Sequence, residues 1–198
     1  REFTWNYAFS KWQIAMDFYP KVYESYKIRT RQREYDLFAS DAYDDELIKN
    51  LVNSFTDLAQ KNNVKREEIP YLVVSFVQSL PYTSDNVTTN FDEYPRFPYE
   101  TLYDNGGDCE DTSILVSALL QEMGYGIVLI ELPKHIAVGV KCSEDFKGAF
   151  YIYNDNKYCY LETTGSNWPI GEIPEEFNDQ SAKIIPIKKR PAFNIQFN

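Results

Sequence analysis

The hydrophobic pattern of this 198-residue chain changes period at Gly124. Upstream, apolar residues recur at spacings of three and four. Ile48, Leu51, Val52, Phe55 and Ala59 do so within DDELIKNLVNSFTDLAQKN, whose acids lie at its start, and this predicts a helix. REEIPYLVVSFVQSL predicts a second helix, ended by Pro81. A third runs from about 109 to 123 through Ile114, Leu115, Ala118, Leu119 and Met123, and Gly124 stops it. Downstream, GIVLIEL, HIAVGV, FYIY and YCYLETT are rich in β-branched and aromatic residues and predict four strands. Asn154 to Lys157 form a plausible turn between the last two. Helices first and strands second imply an α+β fold, with an antiparallel sheet packed on the helices.

The first 40 residues differ in character. Phe3, Trp5 and Tyr7 alternate, as do Trp12, Ile14, Met16 and Phe18, which predicts two short strands in a hairpin. Pro20 is suited to open a short helix with Val22, Tyr23 and Tyr26 on one face. Arg29, Arg31 and Arg33 read as a solvated connector rather than a binding patch. Residues 81–104 read as a long polar and aromatic loop with a turn of helix at YETLYD. The expected organisation is an accessory segment over 1–40 and a main domain over 41–198, with one single domain as the alternative.

A hydrophobic content of 43% is enough for a real core. A net charge of −10 argues against a nucleic-acid partner and against anionic lipid. No apolar run approaches the roughly 20 residues that span a bilayer. The chain begins at Arg1 rather than Met, so it reads as a fragment or processed product, and an extracytoplasmic or cell-surface setting is expected. Asn86-Val87-Thr88 fits a glycosylation sequon. Of three cysteines, Cys142 and Cys159 are able to pair. A chain of this size does not need such a staple, so free thiols are expected. The cysteine spacings, with one histidine, exclude a zinc knuckle.

The remaining chemistry gathers at NGGDCEDTS. Asp108 is a good N-cap, with Asp111 three residues on, which sets Cys109 at the first helical position. The helix start lowers a thiol pKa, whereas Asp108, Glu110 and Asp111 raise it. Gly106 and Gly107 would let a substrate backbone approach, and the helix-start amides would meet an oxyanion. The plain alternative for Cys109 is a small buried residue at a helix start. His135, the only histidine, precedes a predicted strand and is the base available to Cys109. Glu162, at the end of YCYLETT, is a candidate to orient the imidazole, with Asp155 and Asn156 as competitors in a turn. The plain reading of Glu162 is an exposed edge residue.

Gly-Asp-Cys-Glu-Asp opening a helix, then His opening a strand, then an acid before Thr-Thr, resembles the transglutaminase-like cysteine protease superfamily with its papain-like core. The likeness covers roughly 45–175. It implies Cys109 as nucleophile, His135 as general base and acid, and Glu162 as orienting acid. The family more often has Asp followed by Pro-Thr at the third position. Its upstream oxyanion donor would correspond to Gln78. In some secreted relatives the acids flanking the cysteine bind calcium, and Asp108, Glu110 and Asp111 match that position. A capping box is the simpler account of them, and no cofactor is expected. The implied function is a thiol-dependent hydrolase or acyltransferase on amide bonds, peptidase first, with a protein or peptide substrate. The alternative is a catalytically idle binding or structural module.

Overall fold

The computed structural model describes residues 1–84, 94–178 and 180–188. The sequon at 86–88 and residues 90–93 of the aromatic stretch lie outside them. Two strands open the chain, β1 (Glu2–Tyr7) and β2 (Ser10–Ala15), paired antiparallel with Trp5 opposite Trp12. Then come α1 (Pro20–Lys27), α2 (Tyr35–Ala39), α3 (Asp45–Lys61) and α4 (Ile69–Gln78). After them follow α5 (Pro98–Asp104) and α6 (Cys109–Glu122). Five strands complete the fold: β3 (Ile127–Leu132), β4 (His135–Lys141), β5 (Phe150–Tyr153), β6 (Asn156–Leu161) and β7 (Lys183–Pro186). They form one antiparallel sheet in the order β5-β6-β4-β3-β7. The α+β architecture read from the change of period is the one observed.

The helix that carries Cys109 runs through the middle of the molecule. Every residue of α6 from Glu110 to Leu120 is buried. A helix that is apolar on nearly all sides must be surrounded. Helices α2, α3, α4 and α5 pack around it on one side, and strands β3 and β4 on the other. Ser113 and Ser117 keep its flank small where it meets its neighbours. Gly124, at φ 92°, ends it in the left-handed conformation that favours glycine.

The sheet is covered on both faces, which is why β3 shows no alternation. Ile127 and Leu129 point into the main core, while Val128, Ile130 and Leu132 join a second cluster flanked by Ile173, Phe177 and Ile184. Two tight turns set the register. Lys134, at φ 60°, follows Pro133 between β3 and β4, so that Leu132 pairs with His135. Asn154 and Asp155, both at positive φ, link β5 to β6 as the composition predicts.

The N-terminal hairpin forms as expected, and its aromatics join the core: Trp5 meets Phe55 and Phe76 at ring centroids of 5.9 and 5.2 Å. Several other expectations are corrected. Val22 faces outward, and Tyr26 alone of its helix is buried. The arginine connector is no solvated strip. Arg29 pairs with Asp41, and Arg31 reaches the buried Glu100 at 2.6 Å. Phe97 lies under both guanidinium groups. Cys142 and Cys159 form a disulfide. The antiparallel pairing of β4 with β6 brings Cys159 opposite Val140, within reach of Cys142 just past the strand end. Pair geometry, not chain size, decides whether two thiols bond.

That bond ties together the two strands that lead to His135 and Glu162. Closing a loop of separation 17 stabilises a fold by about 3 kcal/mol through the unfolded chain. The Cys142→Ala/Cys159→Ala protein is therefore expected to lose about that much unfolding free energy and to unfold at lower denaturant, with native circular dichroism retained. An unchanged midpoint would show that the bond adds nothing.

Candidate active site

The turn before α6 explains the two glycines. A Cβ on Gly106 would lie 2.5 Å from the carbonyl oxygen of Pro81, and one on Gly107 would lie 2.5 Å from Asp111 Cβ and Oδ2. The Gly107 N–H donates to Pro81 O at 3.3 Å, and Thr83 N–H donates to Gly107 O at 3.0 Å. The glycines thus admit the chain's own backbone and the Asp111 carboxylate, where the sequence suggested a substrate. Asp108 then enters the helix in an extended conformation, and its N–H donates to Asp111 Oδ2 at 3.4 Å. Cys109 follows as the first helical residue.

His135 and Glu162 are brought together. The imidazole Nε2 lies 2.9 Å from Glu162 Oε2. Both side chains are shielded, at 9% and 2% exposure. The imidazole stacks on Phe177, with centroids 4.5 Å apart and planes 7° from parallel. Glu162 is not an exposed edge residue. It accepts Tyr160 O–H at 2.8 Å, the Thr163 and Thr164 N–H groups at 3.0 Å each, and Thr164 Oγ1–H at 2.7 Å. Burial pushes its carboxyl up, but the hydrogen bond and charge of His135 and the Thr164 donors outweigh that, to about 2. A carboxylate so held only accepts, so the proton in the contact belongs to Nε2, and Nδ1 is left for other chemistry. Asp155 and Asn156 lie in the β5–β6 turn and strand start, away from this contact.

The Thr-Thr pair after Glu162, which the sequence reading used only for the resemblance, has two tasks. Thr164 serves the carboxylate. Thr163 turns the other way: its Oγ1 lies 2.9 Å from Thr112 Oγ1 and 3.0 Å from Ser113 Oγ, on the second turn of the cysteine helix. Ser113 Oγ–H also donates to Ile136 O at 3.0 Å. Three hydroxyls therefore bind α6 to the strand that starts at His135 and to the loop that holds Glu162.

The helix that Cys109 opens packs against the same strand, and the backbone of Ile136 favours the Cys109 thiolate. Its thiol donates to Glu110 Oε2 at 3.3 Å rather than to the imidazole. Burial pushes the thiol pKa up strongly, Glu110 adds to this, and the Ile136 amide opposes it. The acids and the burial outweigh the helix start. Gln78 is not free to meet an oxyanion: its Nε2 donates to Glu162 O at 2.8 Å and to Trp168 O at 2.9 Å, which uses both amide protons. A cavity of about 460 Å³ opens over His135 and Glu162, lined also by Thr164, Trp168, Glu175 and Glu176.

No family model matches the sequence, and no curated protein matches it. Among solved structures the fold is similar to Legionella pneumophila LapG at 19% identity, over 70% of this chain and 81% of that one, with a TM-score of 0.46. The calcium-bound LapG structure is 20% identical over 77% and 93%, at 0.44. The EGTA-treated structure is 19% identical over 74% and 87%, at 0.47. This likeness is distant and at the level of fold alone.

Two outcomes follow from the charges. Glu110→Gln removes the nearest carboxylate from the thiol, so Cys109 is expected to react with iodoacetamide faster at neutral pH. The gain is roughly tenfold for each unit by which its pKa falls. An unchanged rate would mean that Glu110 does not govern the thiol. Glu162 is depressed in the folded state, so the stability it lends is complete above its ordinary value of 4.5 and is lost as pH falls towards about 2. Urea unfolding at stepped pH should show the wild type losing more stability across that window than Glu162→Gln.

Proposed function

We propose that this chain is a thiol-dependent hydrolase or acyltransferase of amide bonds, peptidase first, acting on a protein or peptide through Cys109, His135 and Glu162. The observation that carries the reading is the His135–Glu162 contact at the start of β4, the strand packed against the helix that Cys109 opens. The resemblance of the motifs to transglutaminase-like cysteine proteases supports the same roles.

In this mechanism Cys109 Sγ gives its proton to Nδ1 of His135 as it attacks the substrate carbonyl carbon. The thiol rests protonated, so transfer accompanies attack. Amides at the start of α6 meet the oxyanion. The imidazolium then protonates the leaving amine, the C–N bond breaks, and a thioester remains on Cys109. Water attacks the thioester carbon for hydrolysis, or an amine for transfer. His135 takes the proton of that nucleophile and returns it to the departing sulfur. Glu162 keeps the ring oriented and stabilises the imidazolium. The acids Glu175 and Glu176 at the cavity favour a neutral or basic segment of substrate. The Cys142–Cys159 bond fits an oxidising, extracytoplasmic setting.

A second reading has one observation in its favour. A thiol bonded to Glu110, with its pKa raised by burial, suits a binding or structural module that keeps an enzyme-like scaffold. The two readings part on a covalent trap. A peptidyl chloromethyl ketone is expected to label Cys109 in the wild type and to lose at least a hundredfold in rate in His135→Ala. Equal, slow labelling of both proteins would leave the binding module as the better account.

A further inference from the structure

Three acids converge on the first turn of α6. Asp108, Glu110 and Asp111 are all buried. Like charges so close and so dry need a cation or must be neutralised. Calcium is the ion that the resemblance implies, and it would need six to eight oxygen ligands at roughly 2.3–2.6 Å. Asp111 does not fit that role. Its Oδ1 accepts the Arg96 N–H at 2.7 Å. Its Oδ2 accepts the Arg96 guanidinium and the Asp108 N–H. Both oxygens are thus committed within the chain. Glu110 Oε2 accepts the Cys109 thiol. Among the described residues, no group of three or more His, Cys, Asp or Glu is arranged to hold a metal ion.

The cation at this turn is a side chain. Arg96 is 1% exposed, and Asp111, its partner, is fully buried. The guanidinium is fixed from several sides. Its Nε donates to Asp104 Oδ2 at 3.3 Å, and the Tyr94 ring lies 5.9 Å from its Cζ. Arginine suits such a place, since it stays charged when buried and its planar fork matches a carboxylate. Arg96 also uses its own backbone N–H on the same carboxylate, so chain direction and charge are set together.

We propose that Arg96 is the resident cation of the Cys109 turn, a positioning residue that does there what a divalent ion would do, so that the turn assembles without calcium. It acts through Asp111. The ion pair holds the third residue of α6, and Asp111 holds the Asp108 N–H, which sets the residue before Cys109. Why the thiol needs such placement rests on the thiol-enzyme reading, whereas the claim about the cation does not.

The test uses the whole chain as wild type, Arg96→Gln and Arg96→Lys, melted in excess EGTA and in excess calcium chloride, with calorimetric titration of calcium into each. The wild type is expected to melt alike in both conditions and to show no binding heat. Arg96→Gln breaks a buried ion pair and frees Asp111, so it should melt lower, on the order of 10 °C, and calcium should restore part of that loss. Arg96→Lys should melt above Arg96→Gln and stay indifferent to calcium. A wild type stabilised by calcium, an Arg96→Gln protein indifferent to it, or an Arg96→Lys protein that depends on it overturns the proposal. Should Arg96→Gln fail to fold, the wild-type and Arg96→Lys titrations decide. None of these readings needs turnover, so a failed peptidase assay and a failed calcium result are separate outcomes.

Discussion

A buried carboxylate has to be answered by donors, and the Glu162 carboxylate organises this molecule around that need. Five donors reach it, from His135, Tyr160, Thr163 and twice from Thr164. They belong to the first residue of β4, the end of β6 and the loop beyond it. Removing any one leaves charge unanswered in a dry place, which costs more than the bond itself. The anchor therefore sets the imidazole and closes the loop in one step. Thr163 extends it to the cysteine helix through Thr112 and Ser113. Sheet, loop and helix meet at hydroxyls rather than at apolar contacts alone, and such bonds tolerate little displacement.

The other half of the site obeys the opposite electrostatics. Cys109 opens a helix whose surrounding acids and burial keep the thiol protonated. The turn before it is drawn tight by Gly107 against Asp111, and Asp111 is drawn against Arg96. The acids of GGDCED thus have separate tasks. Asp111 is structural and paired, and Glu110 is the acceptor of the thiol. In the proposed mechanism a thiol kept neutral until a base takes its proton would be shielded from adventitious oxidation and alkylation, since the thiolate is the reactive form.

Much of this was legible in the sequence because it rests on local rules. The change of period at Gly124 separated helices from sheet, and the capping pattern put Cys109 at a helix start. The chain order Cys109, His135, Glu162 reflects which element each residue begins or ends. Features that depend on partners far along the chain were not legible. The pairing of Cys142 with Cys159 follows from the register of β4 on β6, which no spacing rule supplies. Arg29 and Arg31 looked solvated because Asp41, Glu100 and Phe97 meet them only after folding. Gln78 looked like an oxyanion donor until two distant carbonyls took its protons. Helix α2 and strand β7 were missed for simpler reasons: α2, at five residues, is too short to show a helical period, and β7, KIIP, ends in proline and lacks the aromatics that marked the equally short β5.

Ionised Glu162 fixes the proton of His135 on Nε2, and the proposed mechanism uses the Nδ1 left bare. The chain has one histidine, so a long-range 15N–1H spectrum of the imidazole contains a single spin system. At neutral pH Nε2 is expected to carry a proton that is shifted downfield and exchanges slowly. In Glu162→Gln that proton should return towards ordinary shift and exchange. A protonated Nδ1 with a bare Nε2, or an imidazole spectrum that Glu162→Gln leaves unchanged, would mean that Glu162 does not set the tautomer.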